Sequence, residues 1–126
     1  MNAFSKGIEL FNSGKFWESH EAWEEVWLQA PPVQRLFFQG LIQVAAGLHQ
    51  MRRGIYHGTV KHLRNARWKL GLFPDIYFHI HTKQLIDAID LALRRLELAG
   101  REQFHAIRKE IQITIPDAKE RAKKQT

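Results

Sequence analysis

The twelve residues 16–27, FWESHEAWEEVW, hold three of the chain's four tryptophans, four glutamates and one histidine, with no lysine or arginine. Wound as a helix at about 100° per residue, they sort by direction. Phe16, Trp23, Trp27 and Ala30 gather around one direction with Val26 on their flank, and Trp17 and Leu28 form a second apolar stripe. A surface helix carries an apolar stripe of about 100°, whereas this one is apolar over roughly 200° and must touch more than one neighbour. His20 and Glu24, at i and i+4, point between the two stripes, so they are expected to be at least partly buried and to need hydrogen-bond partners. Glu18, Glu25 and Gln29 fall on the water side, with Glu21 at the rim.

Glycine and proline divide the rest of the chain into segments of helical length. Asn2 is placed to cap a helix over Ala3–Asn12, and Gly14 suits a left-handed residue after its end. A second helix over Phe16–Ala30 stops at Pro31-Pro32, and the second proline can open a third, over Val33–Arg53. Phe37, Phe38, Leu41, Ile42, Val44, Ala45 and Leu48 cover most of that third helix. Gln39, Gln43 and Gln50 leave one narrow polar stripe, flanked by Gly40, Ala46 and Gly47, where another helix can come close. Tyr56–Leu70 makes a fourth helix that buries Thr59, Leu63, Ala66 and Leu70 and turns Lys61, Arg64 and Trp68 outward. Leu72–His81 is expected to be a loop, with Thr82 capping a fifth, strongly amphipathic helix to Leu98 that Gly100 ends.

Beyond Gly100 a short helix over Arg101–Glu110 precedes Ile111-Gln-Ile-Thr-Ile115, which alternates like an extended segment. The terminal KERAKKQT is expected to be frayed or disordered. The expected fold is therefore all-α, a compact bundle of about five helices. Residues 1–100 form the bundle and 101–126 a C-terminal extension, partly extended or disordered. Gly14 and Gly54 each follow a helix end and precede an aromatic residue by two positions, an echo of antiparallel helix pairs of the tetratricopeptide kind.

A chain of 126 residues without cysteine forms one domain with no disulfides or thiolate metal sites, which fits a cytoplasmic protein. It has no apolar run long enough for a membrane span and no signal-peptide core at its start. The net charge of +6 is unevenly spread. No acidic residue occurs between Val26 and Pro74, a span that holds Arg35, Arg52, Arg53, Lys61, Arg64, Arg67 and Lys69. An acidic second helix and a basic fourth one can answer each other inside a small fold, which argues against a dedicated nucleic-acid surface.

Two kinds of function are compatible with these residues. The spacing His20-Glu21-x-x-Glu24 puts an imidazole and a carboxylate on one helical face, as metal-binding HExxH helices do with two histidines, and His49 is the nearest third ligand. The same pair can instead be locked by hydrogen bonds to glutamines of the third helix, Gln43 being best placed, with Arg64 or Arg67 in reserve. If the cluster is a functional site rather than such a lock, His20, Glu24 and Gln43 form a small-ligand or divalent-metal site with Glu21 at its mouth. The other reading is a non-catalytic interaction module whose protein partner meets the basic surface around Arg53, Lys61 and Arg64; a homo-oligomer is compatible with either. His79-Ile-His81 near Asp75 is a weaker two-ligand motif. No Ser/His/Asp order, P-loop or dinucleotide fingerprint occurs.

The run Phe11-Asn12-x-Gly14-x-Phe16-Trp17-Glu18-x-His20-Glu21-x-x-Glu24-x-x-Trp27, followed by Gly40-Leu41-Ile42-Gln43-x-Ala45-Ala46, resembles the helical proteins grouped as domain of unknown function 309. The resemblance covers about residues 4–98 and implies a compact all-α bundle with no established activity. It places the family's signature polar residues on His20, Glu21, Glu24 and Gln43. Where the family tends to read Gly-Asn-x-x-Gly-Ala, this chain has Gly54-Ile-Tyr-His-Gly58-Thr59, so a role for an asparagine at the start of the fourth helix does not carry over.

Overall fold

In the computed structural model, which describes residues 2–116, five helices follow one another: α1 (Ala3–Asn12), α2 (Phe16–Gln29), α3 (Pro32–Arg52), α4 (Tyr56–Leu70) and α5 (Thr82–Ile107). They make 75% of the described chain helical. The local signals act as their chemistry dictates. Asn2 Oδ1 accepts the Ser5 N–H at 2.8 Å at the start of α1, Gly14 takes φ +80° after its end, and Pro32 occupies the first position of α3. At Gly100, φ +65° breaks the helical path within α5.

Consecutive helices run antiparallel, as paired residues show. Phe4 and Phe11 of α1 meet Phe38 of α3 and Phe16 of α2, and the Trp23 indole donates to the Phe4 carbonyl at 3.1 Å. Trp23 is fully buried and lies directly on Gly7, where any side chain would collide with the indole. Along α3 and α4 the order reverses in step. A Cβ at Gly40 would stand 2.8 Å from Leu70, one at Gly47 3.1 Å from Leu63, and one at Gly58 3.2 Å from Gln50. The small residues beside the glutamine stripe thus let α4 approach α3 closely, offsetting the roughly 1 kcal/mol that glycine costs inside a helix. Both α2 and α4 run antiparallel to α3, so they are parallel to each other. They pack on α3 rather than on one another, which leaves a furrow between them floored by α3.

The basic face of α4 is answered by α5, not by the acidic α2 as the charge pattern suggests. Arg64 donates through Nε and Nη2 to Glu97, and Arg67 Nε lies 2.7 Å from Asp90 Oδ1. The reason is topological: the outward side of α4 that carries both arginines faces the helix that packs next. The core of α5 is the expected set, with Leu85, Ile89 and Leu96 fully buried.

Two other expectations are corrected. Leu72–His81 contains a short antiparallel hairpin, β1 (Ile76–Tyr77) with β2 (Ile80–His81). Its turn residues Phe78 and His79 both have positive φ, at 50° and 62°. Such a turn ordinarily uses glycine or asparagine. Here the Phe78 ring lies against Phe4, Phe37 and Phe38, packing that offsets the backbone strain. Thr82 does not cap α5 either: His81 is the capping residue, without a side-chain bond, and Thr82 is buried as the first helical position.

After the helical part of α5 the chain turns back across the bundle. Arg108 donates to the Met51 and Arg52 carbonyls at the end of α3, at 2.9 and 2.7 Å. Ile111, Ile113 and Ile115 are buried while Gln112 and Thr114 are exposed, the alternation of an extended strand lying on an apolar surface. Asn12 holds the end of this strap with both halves of its amide, accepting from the Ile115 N–H at 2.8 Å and donating to its carbonyl at 3.2 Å. Pro116 is tied in turn by the His81 N–H. The KERAKKQT sequence lies outside the described residues. Among the described residues no helix is long and apolar enough to cross a membrane.

Candidate functional site

The furrow between α2 and α4 is built from three helical faces. From α2 come Trp17, His20, Glu24 and Trp27, spaced about one turn apart on one side. The floor is Gln39, Ile42 and Gln43 of α3, and the far wall is Lys69 and His62 of α4. Glu24, Trp27, Gln39, Ile42, Gln43 and Lys69 enclose a cavity of about 230 Å³. Gly40 and Gly47 set the height of the α4 wall, because the Cβ atoms of Lys69 and His62 rest on them at 3.5 and 3.3 Å from where a side chain would begin.

His20 is largely buried, with 17% of its side chain exposed, while Glu24 is 53% exposed. His20 Nε2 stands 3.5 Å from Glu24 Oε1, and its ring stacks on the Trp17 indole at 4.9 Å. Gln43 does not join this pair. Its side-chain oxygen accepts from Lys69 Nζ at 2.8 Å. Physically this follows from the rise of α4 past α3, which brings a lysine within reach of Gln43 before any group of α2. Arg64 and Arg67, the reserve partners, are engaged by α5. Glu21 is exposed and lies outside the cavity lining.

Polar atoms without partners concentrate here. His20 Nδ1, Trp27 Nε1 and His62 Nδ1 are each buried and hydrogen-bond to no described protein group. An unsatisfied buried polar group costs about 1–3 kcal/mol, so three around one furrow are a considerable local deficit. Burial also pulls the pKa of His62 down, assisted by the positive charges of Lys61, His20 and Lys69. Burial likewise lowers that of Lys69, which makes no ion pair among the described residues.

The metal reading finds no third ligand. His49 packs its ring against Trp17 at 5.3 Å. Among the described residues no group of three or more His, Asp or Glu side chains is arranged to hold an ion. His79 is exposed at the hairpin turn, and His81 is half-buried, its backbone N–H bound to Pro116. On the basic side, Lys61 and Arg64 line a separate depression with Tyr56 and His57, while Arg53 is exposed outside it.

Sequence reasoning missed His62, Lys69 and the unpartnered Trp27 N–H. His62 and Lys69 are seven residues apart and so share a face, but that face is the flank between the inward and outward stripes of α4. The signal was the small-residue track on α3, whose glycines mark where that flank must lie.

Five antiparallel helices with a polar furrow across the second, third and fourth define a small all-α bundle whose open side is chemically uneven. The chain belongs to the family described as Domain of unknown function (DUF309), whose sequence profile matches residues 4–69, from α1 to nearly the end of α4. The match is shorter than the sequence resemblance, which ran to about residue 98. It contains every residue of the furrow. No curated protein matches the chain.

Proposed function

We propose that this protein binds a small polar ligand in the α2–α4 furrow, held by His20, Glu24 and Gln43 together with Trp27, His62 and Lys69. The observation that carries this reading is three buried, unpartnered nitrogens on the helices that wall the furrow, His20 Nδ1 and Trp27 Nε1 on α2 and His62 Nδ1 on α4, with Trp27 also in the cavity lining. A ligand offering acceptors and donors there would relieve that deficit on binding. Glu24 and Lys69 stand on opposite walls of the same cavity. Their opposite charges suit a zwitterion of amino-acid size, with its ammonium toward Glu24 and its carboxylate toward Lys69 and Trp27. The absence of cysteine supports placing this activity in a reducing compartment such as the cytoplasm. The alternative, a protein-interaction surface around Arg53, Lys61 and Arg64, has less support because Glu97 already holds Arg64.

The test is a titration with each free amino acid, read by tryptophan fluorescence and by amide shifts in residues 39–43. Saturable binding by one or a few members is expected, abolished in Glu24→Gln and Lys69→Ala with helix content unchanged. No saturation by any member at millimolar concentration would overturn the ligand class. Stoichiometric metal in protein purified without a histidine tag, lost in His20→Ala, would replace this reading with the metal one.

A further inference from the structure

A second concavity lies at the opposite side of α3, where the C-terminal strap crosses the α1–α2 turn. It has a volume of about 450 Å³ and its lining contains no aspartate or glutamate. Three cations border it: Arg52, Arg108 and Lys109. None of the three pairs with a carboxylate among the described residues. The rest of the wall includes Phe16, Met51 and Ile113, so an apolar surface adjoins the positive rim.

The two arginines are fixed by the fold. Arg52 spreads over the Phe16 ring at 4.7 Å and donates to the Gly14 carbonyl. Its guanidinium fills the space that a side chain at position 14 would need, since a Cβ there would stand 2.8 Å from Nη2. Arg108 spends Nη1 on the two last carbonyls of α3, and its Nε is buried without an acceptor. These contacts account for one edge of each guanidinium and orient the remaining donors. They do nothing for Lys109, which is exposed and bonds to nothing described. Like charges gathered in a concave site repel one another and focus the field on whatever enters. A volume in the ordinary range for small-molecule sites, with apolar walls and a few oriented polar groups, is the form such sites take.

We infer that this cleft binds a small amphiphilic anion, its charged head between Arg52, Arg108 and Lys109 and its apolar body against Met51 and Ile113. The head is a carboxylate or a phosphate ester, which share the chemistry that an arginine fork recognises. The site is separate from the α2–α4 furrow and does not depend on the function proposed there.

The experiment uses the full chain and amide chemical shifts, titrating octanoate, octyl phosphate, 1-octanol and inorganic phosphate. Saturable shifts at Gly14, Ile113 and Thr114 are expected with octanoate or octyl phosphate, and the tighter of the two names the head group. Lys109→Glu, at an exposed position without contacts, should weaken that binding by about tenfold, the equivalent of one lost charge-assisted hydrogen bond. Arg52→Gln should weaken it similarly. Octanol binding as tightly as either anion would reduce the cleft to an apolar groove and overturn the inference. Inorganic phosphate binding as tightly would reduce it to a charged patch, with the same consequence. Equal affinity in wild type and Lys109→Glu, or shifts confined to other residues, would also overturn it.

Discussion

Trp23 and Trp27 lie one turn apart on α2 and face opposite fates. Trp23 is fully buried, its N–H is bonded to the Phe4 carbonyl, and Gly7 is shaped to receive its ring. Trp27 is half-buried with Arg35 over its ring at 5.4 Å, and its N–H is buried without an acceptor. Around Trp23 the α1–α2 contact is closed, with the indole N–H paired and the ring seated on Gly7. The α2–α4 side has a cavity between its helices and buried nitrogens that no protein group satisfies. Natural folds tend to satisfy buried polar groups unless a site needs them. The contrast therefore separates residues that hold the fold from residues available to do something with it.

The largest effect that would test this contrast is on the closed side. Trp23→Ala removes the biggest fully buried side chain and its bond to the Phe4 carbonyl, so it should lower stability by about 3–5 kcal/mol. Urea unfolding followed by circular dichroism reads this directly. A loss below about 1 kcal/mol, the size typical of an average substitution, would show that the α1–α2 interface is not the rigid half of the molecule.

Trp27→Phe is the matched change on the open side. It deletes an N–H that serves no protein acceptor while keeping an aromatic face under Arg35. Its stability cost should stay below about 1 kcal/mol, since no bonded partner is left behind. Any ligand of the furrow should bind the variant more weakly, by calorimetry under the conditions that saturate wild type. A large stability loss with unchanged binding would mean that the indole is structural and that the two sides of α2 do not differ in kind.

Much of the closed side was legible from the sequence. Asn2, Gly14, Pro32 and Gly100 each act through local chemistry, so the helix boundaries follow from the chain itself. Ile111, Ile113 and Ile115 were legible for the same reason, since a period of two requires only a surface to lie on. The open side was partly hidden. His20 and Glu24 are neighbours because one helix makes them so, but their relation to Gln43 depends on where α4 settles. Lys69 reaches Gln43 first because Gly40 admits α4 so closely, and no pattern within α2 or α3 alone carries that information. The hairpin was hidden by its turn: Phe78-His79 lacks the glycine or asparagine that marks such turns, and aromatic packing from distant residues sustains it.

The smallest effect expected concerns His62, on the α4 wall of the open side. Burial disfavours its imidazolium, and Lys61, His20 and Lys69 add to the repulsion, so its folded pKa lies below the ordinary value of about 6.5. Between that lowered value and about pH 6.5, the unfolded chain binds a proton that the folded chain does not. Stability must then rise with pH across this window and fall as the solution is acidified through it. Below the folded pKa both states are protonated and the dependence on this group ends. Urea midpoints measured through mildly acidic pH should therefore decline in the wild type and flatten in His62→Gln. If His62→Gln leaves the slope intact, His62 reaches water freely, and the α4 wall of the furrow is not the desolvated surface that ligand binding there requires.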